Sequence, residues 1–137
     1  MRVGIYNHQH QRGGCPGCSQ TYVKGMIADG EQCKNAILRY YGPDNEFVNY
    51  TDLGDYPAEN VDRPGYRRMI ADIQANKLDV IVTIYAGKIS NDINLILDFY
   101  RECKNHNVDF LSVKEGPDVM KMLDVMLEKR GQTVVHV

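Results

Sequence analysis

The stretch DRPGYRRMIADIQANKLDVIVTIYAGKIS, residues 62–90, sets two different periodicities side by side. Pro64 stands where the first turn of a helix tolerates it, and Tyr66, Met69, Ile70 and Ile73 recur at helical spacing as one apolar stripe. Residues 78–85, LDVIVTIY, then form a run apolar on both faces. A central parallel strand has that character because helices cover it from both sides. This strand is the predicted core of a sheet.

Working outward, residues 3–6 form a short apolar strand. Asp29-Gly30-Glu31-Gln32 has the spacing of a capping box, which predicts a helix start there with Cys33, Ala36, Ile37 and Tyr40 on one face. Gly42-Pro43 stops that helix. Residues 46–51 alternate as a strand, and residues 52–60 make a polar loop with Gly54 and Pro57. Downstream, Ser90 is the expected cap of a helix that turns Ile93, Ile96, Leu97 and Tyr100 inward. A strand at 108–113, a helix at about 117–130 ended by Gly131, and a terminal strand at 133–137 complete the reading.

The alternation of strands and helices predicts an α/β fold: three layers, with a mostly parallel open sheet and helices on both faces. Ligands in such folds sit at the carboxyl ends of strands, which singles out the loops at 7–28, 52–63 and 86–91. The chain has 137 residues, 43% hydrophobic and 25% charged, which suits one domain over 1–137. No apolar run approaches the roughly 18 residues of a membrane span, and the N-terminus lacks the pattern of a signal sequence, so a cytoplasmic location is expected. With a net charge of −2, the surface as a whole does not attract phosphate backbones. Contact with DNA, if made, is expected to be weak or indirect and to come from a local patch.

Four cysteines are too few and too unevenly placed for a secreted disulfide framework, so reduced thiols or a metal are expected. Cys15-Pro-Gly-Cys18 is a tight turn in which both sulfurs can face one cation. His8 and His10, two apart in extended chain, point the same way, so His8, His10, Cys15 and Cys18 form a candidate zinc set, with Cys33 as an alternative third sulfur. Two other readings stay open. Cys15 and Cys18 form a redox pair if they sit at a helix N-terminus, or the segment is a loop without a ligand. Cys103, on the stripe of its helix, and Met120, Met122 and Met126 read as packing residues. Arg67, Arg68 and Lys77 read as solvated charges.

The block at 62–90 resembles the catalytic domain of the serine recombinases, the resolvases and DNA invertases, in which a D-R-P-G-aromatic segment opens a helix before a D-V-φ-φ-V strand. MRVGIY is similar to that family's first strand, Glu31-Gln32 to its first helix, YTDLG at 50–54 to its second strand and loop, and DFLSVKEG at 109–116 to its fourth strand. The resemblance implies site-specific DNA recombination through a serine hydroxyl that forms a phosphoserine bond. Arginines neutralise the transferring phosphate, a task for which their planar, permanently charged fork is suited.

The residues that would carry that chemistry differ here. The family's Tyr-Ala-Arg-Val-Ser is matched by Tyr6-Asn7-His8-Gln9-His10, which puts His8 at an arginine position and His10 at the nucleophile position. After the third strand, Gly87, Lys88, Ile89, Ser90 and Asn91 stand where the family has aspartate, arginine, leucine, serine and arginine. Arg63 and Ser90 match, and Lys88 keeps a charge without the fork. Between His10 and Gln32 lies an insertion of roughly a dozen residues, expected as a Cys-containing loop at about 11–28.

Three functions follow: a recombinase-like domain without strand exchange that regulates or binds a partner, such as a recombinase of a mobile element or a second copy of itself; an active recombinase or nuclease with a rewired nucleophile; or a zinc-binding module. The resemblance also implies a long helix and a DNA-reading domain after the core, and the sequence to Val137 carries neither.

Overall fold

A computed structural model describes residues 1–9, 18–54 and 61–131, with the backbone alone for residues 18–23. The elements are β1 (Arg2–Gln9), α1 (Cys18–Tyr41), β2 (Glu46–Leu53), α2 (Pro64–Gln74), β3 (Val80–Thr83), a 3-10 turn at Ala86–Lys88, α3 (Ile93–Asn105), β4 (Asp109–Ser112) and α4 (Val119–Lys129). The strands form a parallel sheet in the order β2-β1-β3-β4. The expected terminal strand at 133–137 lies outside the described residues.

Alternation along the strands splits the core in two. Val3 and Ile5 of β1, Val80 and Val82 of β3, and Leu111 of β4 pack against Cys33 and Ile37 of α1. The opposite side chains, Tyr6, Tyr50, Ile81 and Phe110, pack against Tyr66, Met69 and Ile73 of α2, Ile96, Leu97, Phe99 and Tyr100 of α3, and Leu123 and Leu127 of α4. One helix therefore lies on one face and three on the other. Connections between parallel strands cross over right-handedly. The chain runs outward from β1 to β2, then back past β1 to β3 and on to β4, so the direction change places α1 opposite α2 and α3.

Four tyrosines lock these layers through aspartates. Tyr6 Oη donates to Asp52 at 2.7 Å, Tyr41 Oη to Asp109 at 2.9 Å, Tyr50 Oη to Asp72 at 2.5 Å and Tyr100 Oη to Asp124 at 2.7 Å. For Tyr6, Tyr50 and Tyr100 this lets a large apolar ring be buried while its hydroxyl keeps an acceptor; Tyr41 is half-buried.

Three local expectations change. Helix α1 starts at Cys18, so Asp29-Gly30-Glu31-Gln32 lies within it and residues 18–28 are helix rather than loop. Lys24, Met26, Ile27 and Ala28 are adequate helix formers. Once the turns before Asp29 are helical, its neighbours' N–H groups bond within the helix and no cap is required. The cap of α3 is Asp92, whose carboxylate accepts from the Asn94 N–H at 2.9 Å. Ser90 instead accepts from the Asp92 N–H at 3.0 Å and is fully buried. Finally, β3 is confined to Val80–Thr83 within the apolar run.

Gly4 marks a closely packed point in the sheet. A Cβ there would meet Ile81 Cδ1 at 2.7 Å and the Tyr50 ring at 3.0 Å, both buried and without room to retreat. Gly4→Ala should therefore cost about 1–3 kcal/mol, read as a lower urea midpoint at unchanged slope.

Candidate functional site

The chain leaves β1 in one direction and β3 in the other, so the carboxyl ends of these two strands form the switch point of the sheet. Open α/β sheets present ligands with a crevice at such a point. His8 and Gln9 end β1 there, and Ala86–Lys88 follows β3.

Asp52, at the end of β2, organises the site from below. Only 3% exposed, its carboxylate accepts from the Gly65 N–H at 2.7 Å, the Tyr66 N–H at 2.9 Å and Tyr6 Oη. The first turn of α2 is thus capped by a side chain from a strand, where carboxylate charge and the helix's exposed N–H groups attract. Gly65 permits the approach: a Cβ on it would lie 2.9 Å from both Asp52 Oδ2 and the Thr51 carbonyl oxygen. Burial first, and then the bond to Asp52, push the Tyr6 hydroxyl well above the ordinary tyrosine range, with Arg63 opposing.

Arg63 precedes α2 and is fully buried. Its guanidinium donates to Tyr6 Oη at 2.8 Å, to the Lys88 carbonyl at 3.1 Å and to the Ile89 carbonyl at 2.5 Å. A permanent charge is thereby turned onto the backbone that follows β3, fixing the 3-10 turn to α2 and β1. Glu115 holds the same turn from the other side, accepting from the Ala86 N–H at 2.9 Å and from Ser112 Oγ.

Lys88 crosses the switch point. Its Nζ donates to the His8 carbonyl at 2.9 Å and lies 5.2 Å from the centre of the Tyr85 ring. Burial lowers its pKa, with Asp29 of α1 opposing and Lys114 adding to the fall. A lysine whose folded pKa is depressed binds fewer protons folded than unfolded, so its cost to stability eases as pH rises through the alkaline range. After reductive ¹³C-methylation, the Lys88 resonance should titrate below those of the exposed lysines. Because Tyr6, Tyr41, Tyr50, Tyr66 and Tyr100, whose hydroxyls are pushed up by burial, make stability fall in the same range, Lys88→Met should steepen that alkaline fall.

The other expected site residues are placed as follows. His8 is buried and shares the Tyr6 face of β1 by strand alternation. Gly87 is half-buried beneath Tyr85, whose ring a Cβ would meet at 2.8 Å. Ser90 is buried and Asn91 exposed. His10 and Cys15 lie outside the described residues, as does the Cys18 side chain. Among the described residues no group of three or more His, Cys, Asp or Glu could hold a metal ion. Cys33 does not complete a site with Cys18: both belong to one continuous helix, which separates them by about 22 Å along its axis, and Cys33 is buried in the core beneath α1.

Sequence reasoning missed Asp52 and Glu115 as site builders. An acidic residue where a strand enters a loop was the only local signal, and the helix that Asp52 caps begins beyond that loop.

The fold belongs to the class of serine recombinase catalytic domains. The N-terminal catalytic domain of TP901-1 integrase superposes with a TM-score of 0.69 at 17% identity, covering 96% of this chain and 97% of that one. A resolvase family site-specific recombinase from Streptococcus pneumoniae gives 0.67 at 16% identity, covering 96% and 88%. The C-terminal catalytic domain of ISC1926 TnpA, an IS607-like serine recombinase, gives 0.66 at 11% identity, covering 95% and 82%. Residues 29–134 match the family described as Resolvase, N terminal domain, and the chain belongs to that family. The match begins beyond Cys15 and Cys18. No curated protein matches the chain, and no helix among the described residues is long and apolar enough to cross a membrane.

Proposed function

We propose that this chain is a resolvase-type domain of site-specific recombination that does not exchange strands itself and acts in the cytoplasm by binding a partner, a recombinase or a second copy. The observation that carries the reading is the use of Arg63. It matches a catalytic arginine of the family, yet its guanidinium is fully buried and donates to the Lys88 and Ile89 carbonyls. Gly87, Lys88 and Asn91 leave no second arginine fork on the turn after β3. Losing one oriented donor from such a site typically costs about 100- to 1,000-fold in rate, and here the serine nucleophile is replaced as well.

The test is covalent capture. The chain is incubated with a fragment library of its host genome, quenched with detergent, and assayed for protease-sensitive protein–DNA adducts. None is expected. Adducts that disappear in His10→Ala would overturn the proposal in favour of a rewired nuclease or recombinase acting through phosphohistidine. In a second arm, the chain is added to a full-length serine recombinase from the same genome, and a changed rate of strand exchange is expected.

A second reading, zinc binding, is supported by the start of α1. Cys18 is the first residue of the helix, where the amide dipoles favour a thiolate, and Cys15-Pro-Gly precedes it. One zinc per chain by elemental analysis of untagged, reduced protein, lost in Cys15→Ser, is the expected result of that reading; no metal in either removes it.

A further inference from the structure

Among the described helices α1 alone covers its face of the sheet, and the flank it turns toward β2 carries a patterned stripe. Ile27, Glu31, Lys34 and Leu38 follow the spacing i, i+4, i+7, i+11, which places them within about 60° of one another around the helix and over about 16 Å of its length. All four are exposed, Ile27 by 62% and Leu38 by 54%. Two large aliphatic side chains at this exposure, on one line and with opposite charges between them, form a seam of the a/d type used when helices pair. No ion pair within the chain involves Glu31 or Lys34 among the described residues. Lys34 Nζ rests 5.6 Å from the centre of the Phe47 ring, at the surface.

The order apolar, acidic, basic, apolar reads as its own complement when reversed. The midpoint between Ile27 and Leu38 is also the midpoint between Glu31 and Lys34. A two-fold axis through that point sets Ile27 of one copy on Leu38 of the other and Glu31 on Lys34, twice over. Parallel pairing would instead oppose Glu31 to Glu31 and Lys34 to Lys34, so the charges select one orientation. Gly30, beside this midpoint, has open space where a Cβ would project. Within a helix a glycine costs about 1 kcal/mol relative to alanine, and no contact in this chain requires it. It does allow a second backbone to approach.

We propose that α1 pairs antiparallel with α1 of a second copy of this chain through Ile27, Glu31, Lys34 and Leu38. Ile27, Glu31 and Lys34 of the stripe form one wall of a groove of about 410 Å³ whose other wall includes Asn49 and Leu53 of β2, and the second copy's α1 enters it. The association does not depend on whether the switch-point site cleaves DNA.

The test is sedimentation equilibrium of the whole chain from about 10 µM to 1 mM, a range suited to a small interface. The parent should pass from one chain to two across that range. Glu31→Lys alone and Lys34→Glu alone should each remain single, because their stripes carry like charges. Their equimolar mixture should again reach two chains, since the first variant's two lysines then meet the second's two glutamates. Both changes lie on an exposed helix surface between residues of similar helix propensity, and circular dichroism verifies the fold of each. A parent that stays single at 1 mM overturns the proposal. So does a dimer indifferent to both substitutions, which would place the interface elsewhere, and so does a mixture that fails to reassociate.

Discussion

Asp52→Ala should lose about 3–5 kcal/mol of folding stability, a large share of the roughly 5–15 kcal/mol that holds a domain together. The carboxylate is buried and accepts from Gly65 N–H, Tyr66 N–H and Tyr6 Oη. Its removal strands buried donors, two of them at the positive end of a helix, and each costs about 1–3 kcal/mol when water does not replace the acceptor. Asp52→Asn separates shape from charge. The amide fills the same space but presents two N–H groups to a ring of donors, so about 2–3 kcal/mol should still be lost. Urea denaturation measures both. Hydrogen exchange at Gly65 and Tyr66 should accelerate ahead of the sheet amides if the cap of α2 is what fails. Equal acceleration throughout would mean that Asp52 acts on the global fold and not on this helix end.

Arg63→Ala should cost a similar 3–5 kcal/mol, and Arg63→Lys should recover little of it. A catalytic arginine facing open crevice would behave differently, its removal leaving stability nearly unchanged. Here the guanidinium bridges Tyr6 Oη and two carbonyls of the turn after β3, and all three lose a donor in the alanine variant. Lysine carries the charge but not the planar fork that reaches several acceptors at once. Arg63 and Asp52 also meet through the same hydroxyl, Tyr6 Oη. Their double variant should therefore be less destabilised than the sum of the singles, by about 0.5–3 kcal/mol, and Tyr6→Phe should reduce that coupling. Full additivity would break the chain of contacts drawn from α2 through β1 to the turn.

In a strand-exchanging site, cationic side chains point outward at a phosphate. In this chain Arg63 is buried and donates to the Lys88 and Ile89 carbonyls, and Lys88 donates to the His8 carbonyl across the switch point.

Most of the architecture was legible in the residues because the forces that select it are local. Periodicity of 3.6 or 2 marks a helix or a strand within a few turns of chain, and the run at 78–85, covered on both faces, implied a parallel sheet before any contact was known. Local patterns were also where the reading erred. The capping-box spacing at Asp29 occurs inside a helix just as readily as at its end, and only the conformation of the preceding turns distinguishes the two cases.

By itself the sequence determined the α/β class, the order of the helices and strands from β1 to α4, and the loops to inspect. Those are properties of residue type and spacing. Only the tertiary structure decided that Asp52, Tyr6, Arg63 and Lys88 belong to one network, that Arg63 faces inward, and that Cys33 is remote from Cys18. Each depends on strand order, parallel register or the length of a helix. These bring together groups far apart along the chain, or hold apart groups that a loop would have let meet, through packing summed over the whole sheet.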